Sequence, residues 1–176
     1  MSSFYGTVPL IVVLWSLLIS AFCIVRAAPT NFSGIWIRDK EKAEGMKTPL
    51  PALTWTITQD ENQLAIEFKG DSGNTIPKHV YKLDGTETKS ESSNSNPPQK
   101  HVRKARWLND GKTLELVTKS QTPGDGVTAS ITLNITEQWE LSDDGKELRV
   151  HRTVDATQGE IKLNFMEIRF TFHNQA

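Results

Sequence analysis

Thr128-Ala129-Ser130-Ile131-Thr132-Leu133-Asn134-Ile135-Thr136-Glu137-Gln138-Trp139-Glu140-Leu141 places Ile131, Leu133, Ile135, Trp139 and Leu141 on odd positions, with Thr132, Asn134, Thr136, Gln138 and Glu140 between them. A period of two sends alternate side chains to opposite faces of a strand, so this stretch predicts a strand with one apolar face. Asp143-Asp144-Gly145 supplies a tight hairpin turn. Lys146 to Val154 then returns with Leu148, Val150 and Val154 on one side.

The same grammar continues in both directions. Toward the C-terminus, Ile161, Leu163 and Phe165 share a face, and the apolar parity then moves to Met166, Ile168, Phe170 and Phe172. A one-residue bulge near Phe165 accounts for the change. Toward the N-terminus, Lys112 to Lys119 and Lys100 to Leu108 flank the turn Asn109-Asp110-Gly111. Leu64, Ile66 and Phe68 share a face, as do Leu53, Trp55 and Ile57. Asn74 to Leu83 carries Ile76, Val80 and Tyr81. Its Pro77 predicts an edge or bulged position, since proline donates nothing to a ladder. Asp84 to Gln99 is polar and reads as a mobile loop, and Gln121 to Gly126 as a Pro/Gly loop. Lys40 to Met46 has room for one helical turn, ended by Pro49 and Pro51.

About nine strands in sequential hairpins must hide one apolar face each. The expectation is an all-β, antiparallel up-and-down β-barrel of about 8–9 strands, since closure buries those faces and removes exposed edges. A two-sheet sandwich is the alternative, but its crossovers need longer connections than the turns present.

Residues 1–27 are set apart. Val8 to Val25 is almost wholly apolar, and Val25 and Ala27 fit the small-residue pattern of a cleavage site. We read 1–27 as a signal peptide, or as an N-terminal anchor if it is retained, and 28–176 as one barrel domain that is secreted or periplasmic. Phe22 before Cys23 is wrong for lipid attachment. Cys23 is the chain's single cysteine, so the barrel domain must stand on its core without a disulfide. The 176 residues carry 20 Lys and Arg against 21 Asp and Glu. That balance, with no basic stripe interleaved with aromatics, argues against nucleic acid. Lys100-His101-Val102-Arg103-Lys104-Ala105-Arg106 is the most basic stretch and reads as a solvated strand face.

Asn31-Phe32-Ser33-Gly34-Ile35-Trp36, together with the later hairpin Glu137 to Leu148, resembles the lipocalin and calycin superfamily and the secreted lipocalin-like domains of bacteria. The resemblance implies an antiparallel barrel closed at one end by Gly34 and Trp36, with Arg169 stacked on the Trp36 indole as a structural cation–π contact.

The aromatics Trp55, Phe68, Tyr81, Trp107, Trp139 and Phe165 are the candidate ligand-binding residues. They either fill the barrel or line a cavity for one small apolar molecule, oriented by the Tyr81 hydroxyl and the indole N–H groups. With a filled core, the chain would instead act as an interaction or inhibitor module through its loops. His79, His101, His151 and His173 sit on separate elements without metal-ligand spacing, so no metal or cofactor is expected. Asp60-Glu61 and Asp143-Asp144 are turn residues, and no nucleophile elbow or phosphate loop is present, so the chain does not read as an enzyme. Any membrane contact would come through 1–27. Asn31-Phe32-Ser33 and Asn134-Ile135-Thr136 are glycosylation triplets, acceptors only in a host that glycosylates.

Overall fold

Short alternating segments joined by tight turns pair most readily with their neighbours in sequence, and this chain does so throughout. The computed structural model describes residues 28–39, 44, 53–70, 75–92, 97–124 and 126–175. Residues 1–27, read above as a signal or anchor, lie outside them, as do most of the Lys40–Met46 turn with Pro49 and Pro51, and most of the turn after Gly70.

Ten strands follow in order: β1 (Gly34–Arg38), β2 (Leu53–Gln59), β3 (Gln63–Gly70), β4 (Thr75–Lys82), β5 (Thr88–Ser92), β6 (Gln99–Leu108), β7 (Thr113–Thr122), β8 (Ile131–Leu141), β9 (Glu147–Gln158) and β10 (Ile161–Asn174). The sheet order is β4-β3-β2-β1-β10-β9-β8-β7-β6-β5, every pair antiparallel. The β1–β10 ladder joins the first strand to the last. β4 lies beside β5 and β6 without a ladder between them, so the barrel is closed except at this seam. The sequential order excludes the sandwich.

The strand beyond the expected eight or nine is β5. It occupies the middle of the polar stretch read as a loop, and its sequence, Thr-Lys-Ser-Glu-Ser, has no apolar residue to mark a period. It is held by pairing Thr88 to Arg103 and Ser92 to Gln99 across β6. Pro77 falls on β4, an outer strand of the sheet, opposite a register shift between Ile66 and Phe68.

The β10 bulge falls between Lys162 and Asn164, two residues before the expected place. That offset corrects Phe165. It pairs with Asp155 on the outer face, is 55% exposed, and lies under the Lys162 ammonium at 5.4 Å. Arg169 is corrected for the same reason of parity. Ile168 and Phe170 are buried on either side of it, so its side chain points outward and is 60% exposed. It pairs with Glu167 at 2.8 Å and Glu44 at 3.7 Å instead of stacking on Trp36.

One end is sealed by the segment before β1. Phe32 is fully buried, with its ring 6.0 Å from Trp107 and 5.8 Å from Trp139. Trp36 Nε1 donates to the Phe32 carbonyl at 2.9 Å, and the Gln59 side chain bonds both Phe32 N and the Thr30 carbonyl. Gly34 sits at φ +150, where a Cβ would come within 3.3 Å of Trp36 Nε1. The Gly-x-Trp spacing therefore lets this indole lie against its own strand.

Candidate functional site

Because side chains alternate across each strand, the barrel interior can be read from the sealed end upward. The first layers are solid. Trp55 lies 5.1 Å from Trp139 and 4.1 Å from Phe172, among fully buried Leu64, Leu114 and Leu148. Above them the interior turns polar and charged. Arg38, Arg103 and Glu137 are at most 8% exposed, and all point inward. Arg152 Nε donates to Glu137 Oε1 at 2.6 Å, and Trp139 Nε1 donates to the other carboxylate oxygen at 3.1 Å. The Arg152 and Arg38 guanidinium groups lie over the Phe170 ring at 4.9 and 5.5 Å. Tyr81 and Thr118 share a hydrogen bond of 2.7 Å. Toward the far end, the inward residues Leu133, Ile135, Val154, Ala156 and Met166 are only half-buried, so water reaches the inner wall there. The interior is thus filled below and open above.

Arg103 is the feature that stands apart. It is 5% exposed, and its Nη1 donates to Ser90 Oγ at 2.8 Å. Its Nε is buried without a hydrogen-bond partner among the described residues, as is Oγ1 of Thr88, which pairs with it across the β5–β6 ladder. No described carboxylate forms an ion pair with it. Such a group is costly unless something completes it. His101 follows on the same inward face and bonds Ser120 Oγ at 2.9 Å, and His79 reaches in from β4 against Phe68.

The electrostatics are those of a cationic pocket. Burial, and then the nearby Arg103, His101 and Arg152 charges, push the His79 imidazole down to about 4. Burial and Arg103 lower His101 as well. Burial, with Glu137 adding to it, pushes the Tyr81 phenol up to about 12, so it stays protonated. Folded His79 thus stays neutral while the unfolded chain takes up a proton below about 6.5. Stability is expected to fall as pH drops from about 6.5 to about 4, by up to one proton of slope. Urea midpoints at pH 7, 5.5 and 4.5 read this slope, and His79→Gln is expected to remove its share. An unchanged slope in that variant would refute the assignment.

Of the residues expected to line a site, Trp55, Phe68 and Tyr81 come together beside the polar layer. The Trp55 indole N–H is buried and unpartnered among the described residues. Trp139 is part of the solid layer, and Trp107 stacks on Phe32 at the sealed end, bordering an outer pocket of about 380 Å³ with Pro29 and Leu83. Phe165 lies outside. The basic stretch divides by parity: Lys100, Lys104 and Arg106 are exposed, but His101 and Arg103 face inward, which corrects its reading as a wholly solvated face. Sequence reasoning missed Phe32, Arg38, Arg103, Glu137 and Arg152.

A groove of about 510 Å³ also lies on the outer face of β8, β9 and β10, bordered by Glu140, Arg149, His151 and Arg169. Several of its polar groups are paired with near neighbours: His151 and Arg169 with Glu167, and Arg149 with Glu147. Among the described residues, no group of three His, Cys, Asp or Glu is placed to hold a metal ion.

No protein-family model matches the sequence, and no curated protein is similar to it. Solved structures are similar in shape. A secretary abundant heat soluble (SAHS) protein from Ramazzottius varieornatus shares 10% identity over 84% of this chain and 98% of its own, with a TM-score of 0.52. The fluorescent protein UnaG (15% identity, 81% of this chain, 96% of that chain, TM-score 0.48) and a point mutant of the REP1-NXSQ fatty acid transporter (12%, 81%, 96%, 0.47) overlay less well. With the ten-strand sequential topology, the first of these likenesses shows the fold alone, a nearly closed antiparallel up-and-down β-barrel.

Proposed function

We propose that the chain is an exported binding protein that holds one small amphipathic molecule in the open half of its barrel. The apolar part lies against Phe68, Trp55 and the half-buried wall of β8, β9 and β10. The anionic end meets Arg103, with the Thr88 and Tyr81 hydroxyls close by. The single observation that supports this most is the buried Arg103 guanidinium, whose Nε lacks a hydrogen-bond partner and which forms no described ion pair. A carboxylate or similar oxyanion would complete it with a charge-assisted hydrogen bond. Export rests on the reading of residues 1–27.

Tryptophan fluorescence, titrated with oleic acid and with oleyl alcohol, tests the reading. The acid is expected to saturate and to bind more tightly than the alcohol. Arg103→Gln should weaken the acid by about 10- to 100-fold, the equivalent of ~1.5–3 kcal/mol for a hydrogen bond to a charged group, and leave the alcohol unchanged. The same variant should fold at least as stably as the wild type, because it removes a buried charge with no described counter-ion. No saturable response to either probe would overturn the carrier reading. Equal binding of both, unaffected by Arg103→Gln, would overturn the anionic end.

A further inference from the structure

Six large apolar side chains are notably exposed among the described residues, and five of them gather at one end: Val127, Ile131, Ile161, Leu163 and Phe165. The ladders show why. Thr122 pairs with Ile131, Ile131 with Gln158, and Gln158 with Ile161, so the β7–β8 loop and the β9–β10 turn stand side by side at the open end. Gly159 N donates to the Ser130 carbonyl at 3.0 Å and ties the two together. The loop itself is tight. A Cβ on Gly124 would meet the Thr128 carbonyl oxygen at 2.3 Å, and Val127 at its tip is 96% exposed. One backbone bond thus fixes the two turns side by side, and their exposed apolar residues border the same mouth through which a ligand would pass.

On the same sheet, three strands from Phe165 along the rung through Asn134 and Asp155, β6 and β7 carry an outer patch that is mainly lysine, with Glu91 of β5 opposite Lys100. Lys100 and Lys104 on β6 and Lys119 on β7 are exposed on the outer face. Lys119 pairs with Val102, between the two β6 lysines, which puts all three on one patch. None forms an ion pair with a described carboxylate, whereas Lys78, Lys89, Arg106, Arg149, Lys162 and Arg169 elsewhere on the outer wall do. Protruding aliphatic and aromatic tips with a mainly lysine wall on the same side of the barrel match an anionic bilayer surface, with apolar side chains entering the acyl boundary and ammonium groups meeting headgroups. A second copy of the chain fits less well. In a pairing of like faces the lysines would meet their own copies and repel them.

We propose that the open end of the barrel docks on anionic lipid bilayers through Val127, Ile161, Leu163 and Phe165, with Lys100, Lys104 and Lys119 on the headgroups. This docking stands independently of what the interior binds. The test uses the full chain carrying Cys23→Ser and Phe165→Cys, labelled with an environment-sensitive fluorophore. It is mixed with vesicles of phosphatidylcholine and phosphatidylglycerol bearing brominated acyl chains. A second labelled protein, Cys23→Ser with Asp144→Cys, reports the turn at the sealed end.

Bromine quenching is expected at position 165 and absent at 144, which separates docking of this end from anchoring through residues 1–27. Replacing Lys100, Lys104 and Lys119 together by glutamine, or raising the salt, should weaken the quenching response about tenfold. No quenching at 165, or equal quenching at both positions, would overturn the proposal. So would a lipid-independent shift at 165 that grows with protein concentration, the mark of self-association.

Discussion

Trp139→Ala is expected to destabilise the barrel by about 3–5 kcal/mol, the range for removing a fully buried aromatic from a packed core. The indole is fully buried, stacked 5.1 Å from Trp55 and met edge-on by Phe32 at 5.8 Å. Its loss would undercut two supports at once, because the plug formed by Phe32 rests on the same ring. It would also strip the buried Glu137 carboxylate of its Nε1 donor. A domain of this size has about 5–15 kcal/mol of stability in all, and no disulfide is available to the barrel to make up a loss. Urea unfolding at pH 7 measures the effect. Trp139→Phe refills most of the space and should cost no more than about half as much, the remainder reporting the lost hydrogen bond. Trp107→Ala, at the partly exposed edge of the same cluster, should cost less than Trp139→Ala. A Trp139→Ala midpoint within ~1 kcal/mol of wild type would mean that the sealed end is not packed as described.

The solid lower half answers the question that the aromatic pattern left open, and it shows what was legible in the sequence. Most strand positions and inward apolar residues followed from period two, and the hairpin turns from Asn-Asp-Gly and Asp-Asp-Gly, because burial on one face leaves that mark wherever the inward residues are apolar. β5 escaped because none of its residues is apolar. Phe165 and Arg169 were misplaced by local geometry. Hydrophobicity shows that a bulge exists but not on which residue it falls, and Arg169 lies between Ile168 and Phe170, the two residues that should have sent it outward.

The charged interior was more legible than its omission suggests. Arg103 shares parity with Ala105 and Trp107, Glu137 with Ile135 and Trp139, Arg152 with Val150 and Val154, and Arg38 with Trp36. Reading charged residues as exposed by type overrode that parity, yet an ionic side chain on an apolar face is the pattern's most informative violation. The docking end escaped for another reason. Its exposed apolar residues carry the same period-two signature as core residues, and only the three-dimensional position of the strand ends distinguishes them.

The Glu137–Arg152 pair carries the second large expectation. Glu137 is 9% exposed at its side chain and Arg152 is 24%, so the two partners should behave differently when separated. Arg152→Leu leaves a carboxylate inside the barrel with a single indole donor, and is expected to cost about 3–5 kcal/mol. Glu137→Gln preserves an acceptor for the Trp139 indole and leaves a guanidinium that can turn toward the open end, so about 1–2 kcal/mol is the expected loss. Replacing both by leucine removes two desolvated charges together and should come out near wild type or more stable. The double-mutant cycle from urea midpoints isolates the coupling. If Arg152→Leu proved as stable as wild type, the pair would not be buried in the sense that its geometry implies.

The contrast with Arg103 then becomes functional. Arg152 already has its anion within the chain, whereas Arg103, on the same inner wall, has no described ion pair. Removing Arg152 should therefore cost stability, and removing Arg103 should cost affinity with no loss of stability. Fluorescence titration with oleic acid, set beside the urea midpoints of the two variants, tells a structural cation from a ligand-binding one.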